Sequence, residues 1–159
     1  MAASWMFIEG AEMTSRIVLP NYLATYGSIS EGIGSQQCAR LIQAIEKAEL
    51  GCQTQVSQYR GTVKVRVCAD IVPGTVIATL LDGTYPNEDI GNHVAIFVAK
   101  LENGIRVFDQ YVGRSPGQRD IRYRGGQTTR GDKTLPDGTV RRNVLLLSND
   151  ADFYYVVEA

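Results

Sequence analysis

Gly34-Ser35-Gln36-Gln37-Cys38 runs straight into Ala39-Arg40-Leu41-Ile42-Gln43-Ala44-Ile45, and this junction decides how the rest of the chain is read. Cys38, Leu41, Ile42, Ile45 and Leu50 recur at helical spacing, which predicts a helix over about residues 36–50. Gly51 stands where a left-handed residue would stop it. Ser35 is the expected N-cap, its hydroxyl accepting a backbone N–H two or three residues later. That register puts Cys38 near the third helical position, beside the positive end of the helix dipole, where a thiolate is stabilised. Two readings stay open at this point. Cys38 is either a small hydrophobe packed with Leu41, Ile42 and Ile45 or a nucleophile.

Beyond the helix the pattern changes to strand. Residues 62–68 alternate, with Val63, Val65 and Val67 on one face. Pro73-Gly74 turns the chain into a second β-rich run at residues 75–81. Two further strands are expected at residues 93–99 and 105–111, joined through Glu102-Asn103-Gly104. Residues 144–147 and 153–157 close the sheet. Upstream, residues 15–26 around Pro20 form a short helix or an extended segment, and residues 27–34 form a loop. Residues 1–13 are a loosely tethered lead-in. Residues 113–138, rich in Gly and Arg, are expected as a long functional or mobile loop. With no repeat or linker, the chain reads as one domain over residues 1–159: a helix ahead of an antiparallel sheet, α+β in class.

Composition excludes several classes. The chain has 159 residues, 44% hydrophobic and 21% charged, as expected of a soluble domain with a full core. Its net charge of −1 conceals an asymmetry. Residues 113–142 hold eight basic side chains (Arg114, Arg119, Arg122, Arg124, Arg130, Lys133, Arg141, Arg142) against Asp120, Asp132 and Asp137. Such a stretch is either a solvated surface or an attractor of anionic ligands. A nucleic-acid partner is not expected, because the rest of the chain is acidic and carries no recognised module. Arg130-Gly131-Asp132 in a Gly-rich segment is expected by chance. Residues 1–10 have no basic region and no sustained apolar core, so no secretory signal is expected. No run is long enough to insert in a membrane. Cys52 and Cys68 are either a disulfide pair or two buried thiols.

His93 is the sole histidine of the chain. It stands where Gly91-Asn92 enters an apolar strand, and imidazole titrates where a thiol nucleophile needs a base. Asp109 is the natural third member if strand register permits. A three-residue loop pairing Leu101 with Ile105 sets odd positions opposite odd ones and places Asp109 on the His93 face. A two-residue Asn-Gly turn pairing Glu102 with Ile105 would send it to the other face. The three-residue loop is the expectation. A carboxylate there fixes the imidazole tautomer and stabilises its protonated form.

These motifs carry a family resemblance. Gly-Ser-Gln-Gln-Cys at a helix start, Gly91-Asn92-His93-Val94-Ala95-Ile96 and Val107-Phe108-Asp109-Gln110-Tyr111 resemble the papain-like cell-wall amidases of the NlpC and CHAP groups. Gly74-Thr75-Val76-Ile77-Ala78-Thr79 and Asp82-Gly83-Thr84-Tyr85-Pro86-Asn87 further resemble the type VI secretion amidase effectors, within these the subgroup that cuts cross-links. The resemblance covers residues 34–123. It implies a papain-like fold, with Cys38 as nucleophile, His93 as general base and Asp109 as orienting residue. Gln37 and the Cys38 N–H would form the oxyanion site, and Asp82, Tyr85, Asn92, Gln110 and Tyr111 are candidates to line the groove. The implied substrate is the peptide stem of peptidoglycan, cut at the D-alanine–meso-diaminopimelate cross-link, with no cofactor and no metal. The implied partners are a secretion apparatus and a cognate immunity protein. Made without a signal peptide, the protein would stay in the producing cell's cytoplasm until export and act in a target's periplasm. A protease or deamidase acting on a host protein is the enzymatic alternative, and an interaction domain with a buried Cys38 the non-catalytic one.

Overall fold

A computed structural model describes residues 14–28, 37–86, 91–127, 130–135 and 137–159. Among the described residues two helices, α1 (Tyr22–Ser28) and α2 (Cys38–Leu50), precede seven strands. These are β1 (Val76–Thr79), β2 (Val94–Leu101), β3 (Gly104–Tyr111), β4 (Arg114–Arg122), β5 (Arg130–Thr134), β6 (Val140–Leu145) and β7 (Tyr154–Val156). The main sheet is antiparallel in the order β4-β3-β2-β1-β7, while β5 and β6 form a separate two-stranded sheet. The architecture is α+β.

Side-chain alternation sorts the core into two layers. Val94 and Ile96 of β2, with Val76, Ala78 and Phe108, face Leu41, Ile42 and Ile45 of α2. Their neighbours Ala95 and Phe97, with Ile77, Ile105 and Val107, pack on the other face against Val65, Ile121, Tyr154 and Val156. All four β1 residues are buried between β2 and β7, which is why this inner strand shows no polar alternation. The α1 side chains Tyr22 and Tyr26 set their rings 5.4 and 5.6 Å from that of Phe108, anchoring the first helix.

Helix α2 stops where expected, Gly51 taking φ 74° and returning its N–H to the Lys47 carbonyl. Its start differs. Gln37 occupies the N-cap position without a side-chain cap, so Cys38 is the first helical residue, not the third. The proposed Ser35 cap, Gln36 and the lead-in of residues 1–13 lie outside the described residues.

The structure departs from expectation in three segments. Residues 62–68 are not a strand: Val65–Val67 is a single 3-10 turn, and only Lys64 bridges the sheet, to Tyr155. Val65 is fully buried and Val67 is 72% exposed, so the three valines do not share a buried face. The expected loop of residues 113–138 is instead largely strand, β4 forming the sheet edge and β5 half of the second sheet. Residues 144–147 do not close the main sheet, because β6 pairs with β5; β7 alone takes the other edge.

The β2–β3 hairpin brings Asp109 to the expected face by an unexpected route. Its turn is the two residues Glu102-Asn103, with Leu101 opposite Gly104 and Lys100 opposite Ile105. That pairing sets odd against even, and continued unchanged it would put Asp109 behind the sheet. A β-bulge between Phe97 and Ala99 inserts one residue in β2, so Phe97 faces Val107 and Ile96 faces Phe108. From there odd opposes odd, and Asp109 shares the side of His93.

A Cβ at Gly104 would collide with the Ile121 carbonyl oxygen, whereas one at Gly117 meets nothing within 4 Å. Gly104→Ala should therefore destabilise the protein by about 1–3 kcal/mol, as overpacking does. Gly117→Ala should be close to neutral. Urea unfolding of the two variants measures the difference.

Candidate active site

The site forms where the start of α2 meets the ends of β1, β2 and β3. Gln110 of β3, itself buried, donates from Nε2 to the Gln37 carbonyl at 3.0 Å and ties the helix start to the sheet. His93 directly precedes β2, and β1 holds its backbone from both sides. Its N–H donates to Thr79 Oγ1 at 2.9 Å, and its carbonyl accepts from the Thr79 N–H at 3.0 Å. Only 4% of His93 is exposed. Its Nε2 lies 2.6 Å from Oδ2 of Asp109, which is fully buried. The imidazole also interacts with the Cys38 thiol, each shifting the other's ionisation. With Nε2 engaged by Asp109, Nδ1 is the ring nitrogen left for Cys38.

Each ionisation follows from these contacts. Burial alone would push the Cys38 thiol up. The hydrogen bond and charge of His93, then the Val94 N–H and the Tyr85 hydroxyl, outweigh that and hold it below the ordinary value. Burial alone would drive the His93 imidazolium to lose its proton, but Asp109 and Cys38 raise its pKa to about 9. Burial likewise opposes ionisation of Asp109, and His93 and Arg119 overcome it, leaving the carboxyl below its usual range. Between these limits the site holds a thiolate beside an imidazolium beside a carboxylate. The thiolate also lies at a helix start, where the first N–H groups have no intrahelical acceptor.

The other sequence-selected residues fall at different distances from this centre. Tyr85, largely buried, helps lower the Cys38 pKa, and its hydroxyl accepts from Asn92 Nδ2 at 2.7 Å. Tyr111 is 41% exposed with its ring 6.4 Å from the imidazole. Gln110 acts on the Gln37 carbonyl from within the sheet. The Gln37 residue is exposed at the helix start. Asp82 has φ 49° and Gly83 φ 76°, forming the tight turn between Leu81 and Thr84, so Asp82 is a turn residue in the segment leading to Tyr85.

Three residues of the site were not selected from the sequence. Thr79 fixes the His93 backbone. Tyr154 sets its ring 6.5 Å from the imidazole. Arg119 reaches Asp109 Oδ2 from β4 through Nε at 2.7 Å. The signal for Arg119 was present as alternation in β4, where Gly117, Arg119 and Ile121 oppose Asp109, Val107 and Ile105. Arginine at an inward position disguised it. Among the described residues no group of three His, Cys, Asp or Glu side chains is arranged to hold a metal ion. All three cysteines are free thiols, with Cys68 buried and Cys52 exposed rather than buried.

Comparison with known proteins adds a lineage to this geometry. The family model of Domesticated amidase effector 2 (Dae2) matches residues 8–134. A Type VI secretion amidase effector 2 protein of Salmonella typhi is 33% identical over 132 residues, covering 81% of this chain and 90% of that protein. The solved structure of a Type 6 secretion amidase effector 2 (Tae2) superposes with a TM-score of 0.63 at 32% identity, covering 88% of this chain and 92% of that one.

The thiol chemistry can be checked within one molecule. Cys52 is more exposed than Cys38, but its thiol is pushed up by partial desolvation and by Glu46. At about pH 6, iodoacetamide should modify Cys38 before Cys52, because reactivity follows the thiolate. Peptide mapping gives the order, and earlier labelling of Cys52 would contradict a stabilised thiolate at Cys38.

Proposed function

The chain belongs to the type VI secretion amidase effector 2 (Dae2/Tae2) family, and from that premise we propose that it is a papain-like cysteine amidase of peptidoglycan stem peptides. Its scissile bond is the cross-link between D-alanine and the meso-diaminopimelate of a neighbouring stem. The observation that carries this reading is the buried His93 ring, coupled to the Cys38 thiol and hydrogen-bonded through Nε2 to Asp109.

In the reaction, Cys38 Sγ forms a bond to the amide carbonyl carbon and the carbonyl π electrons move onto oxygen. The Cys38 N–H at the helix start meets the resulting oxyanion, with Gln37 beside it. The His93 imidazolium transfers its Nδ1 proton to the departing amine as the C–N bond breaks, leaving a thioester. Water then attacks the thioester while giving one proton to His93. Collapse of the intermediate breaks the C–S bond, expelling the Cys38 thiolate and a carboxylic acid that loses its proton to solvent; the thiolate–imidazolium pair is restored. Asp109 holds the Nε2–H tautomer throughout.

Tyr85 and Tyr111 stand next to the nucleophile and the imidazole, which suits them to wall the stem-peptide groove. Asn92 and Gln110 act from behind, through the Tyr85 hydroxyl and the Gln37 carbonyl. Asp82 shapes the turn ahead of Tyr85. The protein leaves the producing cell through the type VI apparatus and cuts the wall of a target bacterium from the periplasm. An immunity protein that covers the groove protects the producer.

Purified sacculi incubated with the wild type should lose cross-linked dimers by mass spectrometry, with the new carboxyl on D-alanine. Cys38→Ala should abolish this, a fall of about 10⁴-fold or more. Sacculi left intact by both proteins would exclude the reading. The pH profile of kcat/KM should be bell-shaped. Its alkaline limb falls through about 9, where His93 loses the proton it delivers to the amine. Its acid limb falls below the lowered Cys38 pKa, where the thiolate is protonated.

A further inference from the structure

We propose that Arg119 is a positioning residue of this site, acting through Asp109 to hold the Cys38–His93 pair in its reactive form. The proposal rests on the cysteine amidase reading above and extends it by a fourth side chain.

The geometry is specific. Arg119 lies on the edge strand β4 opposite Val107, and Gly117 of the same strand lies opposite Asp109. Arg119 is thus diagonal to Asp109 on the same face, within reach across the pair. Its Nε donates to Asp109 Oδ2 at 2.7 Å, the same oxygen that receives His93 Nε2 at 2.6 Å. The Arg119 side chain is only 17% exposed. It lies 5.2 Å from the Tyr111 ring centroid and interacts electrostatically with Tyr154, whose hydroxyl donates to the Ser148 carbonyl at 2.9 Å. Both aromatic rings flank His93. Arg119 is therefore clamped by the groups that enclose the imidazole.

Charge explains what this arrangement does. Asp109 is fully buried, and its Oδ1 has no hydrogen-bond partner among the described residues. A carboxylate so placed tends to take up a proton unless a cation accompanies it. A protonated Asp109 would cease to stabilise the imidazolium, and the thiolate would lose its counterion. Arg119 supplies the cation and restricts Oδ2 to the rotamer that faces Nε2. Read along the site, Cys38, His93, Asp109 and Arg119 alternate negative, positive, negative and positive. The other ionisable or charged groups around the imidazole and carboxylate are Tyr85 from the turn segment, Tyr111 from β3, Arg114 over the Tyr111 ring, and Tyr154 from β7. None of these makes an ion pair with Asp109, whose ion-pair partners among the described residues are His93 and Arg119.

The test reads Cys38 reactivity against pH, which needs no substrate and so can fail independently of the proposed activity. Iodoacetamide rates at Cys38 are mapped by mass spectrometry for wild type, Arg119→Met, Arg119→Lys, Asp109→Asn and the double variant Arg119→Met/Asp109→Asn. Circular dichroism reports whether each is folded. Removing the cation disfavours the thiolate directly and through Asp109, so the profile of Arg119→Met should move to higher pH by about one unit, a tenfold loss of rate on its acid side. Arg119→Lys restores the charge without the guanidinium geometry and should recover half of that shift or more. In the Asp109→Asn background, Arg119→Met should add less than half of its shift in the wild type. A folded Arg119→Met protein with the wild-type profile would overturn the proposal, as would an undiminished shift in the Asn background. If Arg119→Met does not fold, Arg119→Lys decides: a profile within half a unit of wild type supports the proposal. A profile displaced by a full unit or more with the cation retained overturns it.

Discussion

A single carboxylate oxygen, Oδ2 of Asp109, receives the imidazole of His93 and the guanidinium of Arg119 at hydrogen-bonding distance in a place water does not reach. A charge buried at that depth persists only with partners on hand. The rest of the site is built outward from this constraint. The carboxylate makes a charged imidazole tolerable in a nearly closed pocket, and the imidazolium makes a thiolate tolerable at Cys38. The helix start then adds its dipole and its unsatisfied N–H groups on the thiolate's own side.

Delivering those groups is the work of the sheet. Three adjacent strands, β2, β3 and β4, carry His93 at an entrance, Asp109 near an end and Arg119 at the edge. Antiparallel pairing fixes which of them share a face, and the bulge between Phe97 and Ala99 corrects the parity imposed by the two-residue turn. Thr79 of β1 clasps the His93 backbone from the opposite strand. Helix α2 is then seated by Leu41, Ile42 and Ile45 on the apolar face and by the bond from Gln110 to Gln37 at its start. Each catalytic group in the proposed mechanism is therefore positioned by an element rather than by a flexible loop, which suits chemistry that needs the sulfur and the imidazole in a fixed relation.

Much of this was legible in the chain. Helix α2, its Gly51 stop and strands β1, β2 and β3 followed from spacing, while Cys38, His93 and Asp109 were singled out as candidates by residue chemistry together with the family resemblance. The register was legible only in its result. Asn103-Gly104 suggested a longer loop, and the bulge that restored the parity has no glycine or proline to announce it. The Arg-rich segment was misread for a physical reason. An edge strand buries little, so β4 is charged at four of its nine positions and polar, Gly or Pro at four more, and its inward row consists of a glycine, an arginine and a single isoleucine. Residues 62–68 misled in the opposite way: three alternating valines satisfy a strand pattern, yet only Val65 is fully buried. Periodicity reports burial faithfully where an element is packed on a broad face and poorly at edges and in single turns.

His93 is the sole histidine of the chain, so its ring nitrogens can be followed without assignment in a uniformly 15N-labelled protein. Their chemical shifts across the pH range distinguish imidazolium from either neutral tautomer. The ring should stay doubly protonated from neutral pH up to about 9 and then lose its Nδ1 proton, keeping the proton on Nε2 toward Asp109. Titration near the ordinary 6.5, or a neutral ring protonated on Nδ1, would contradict the account at its centre.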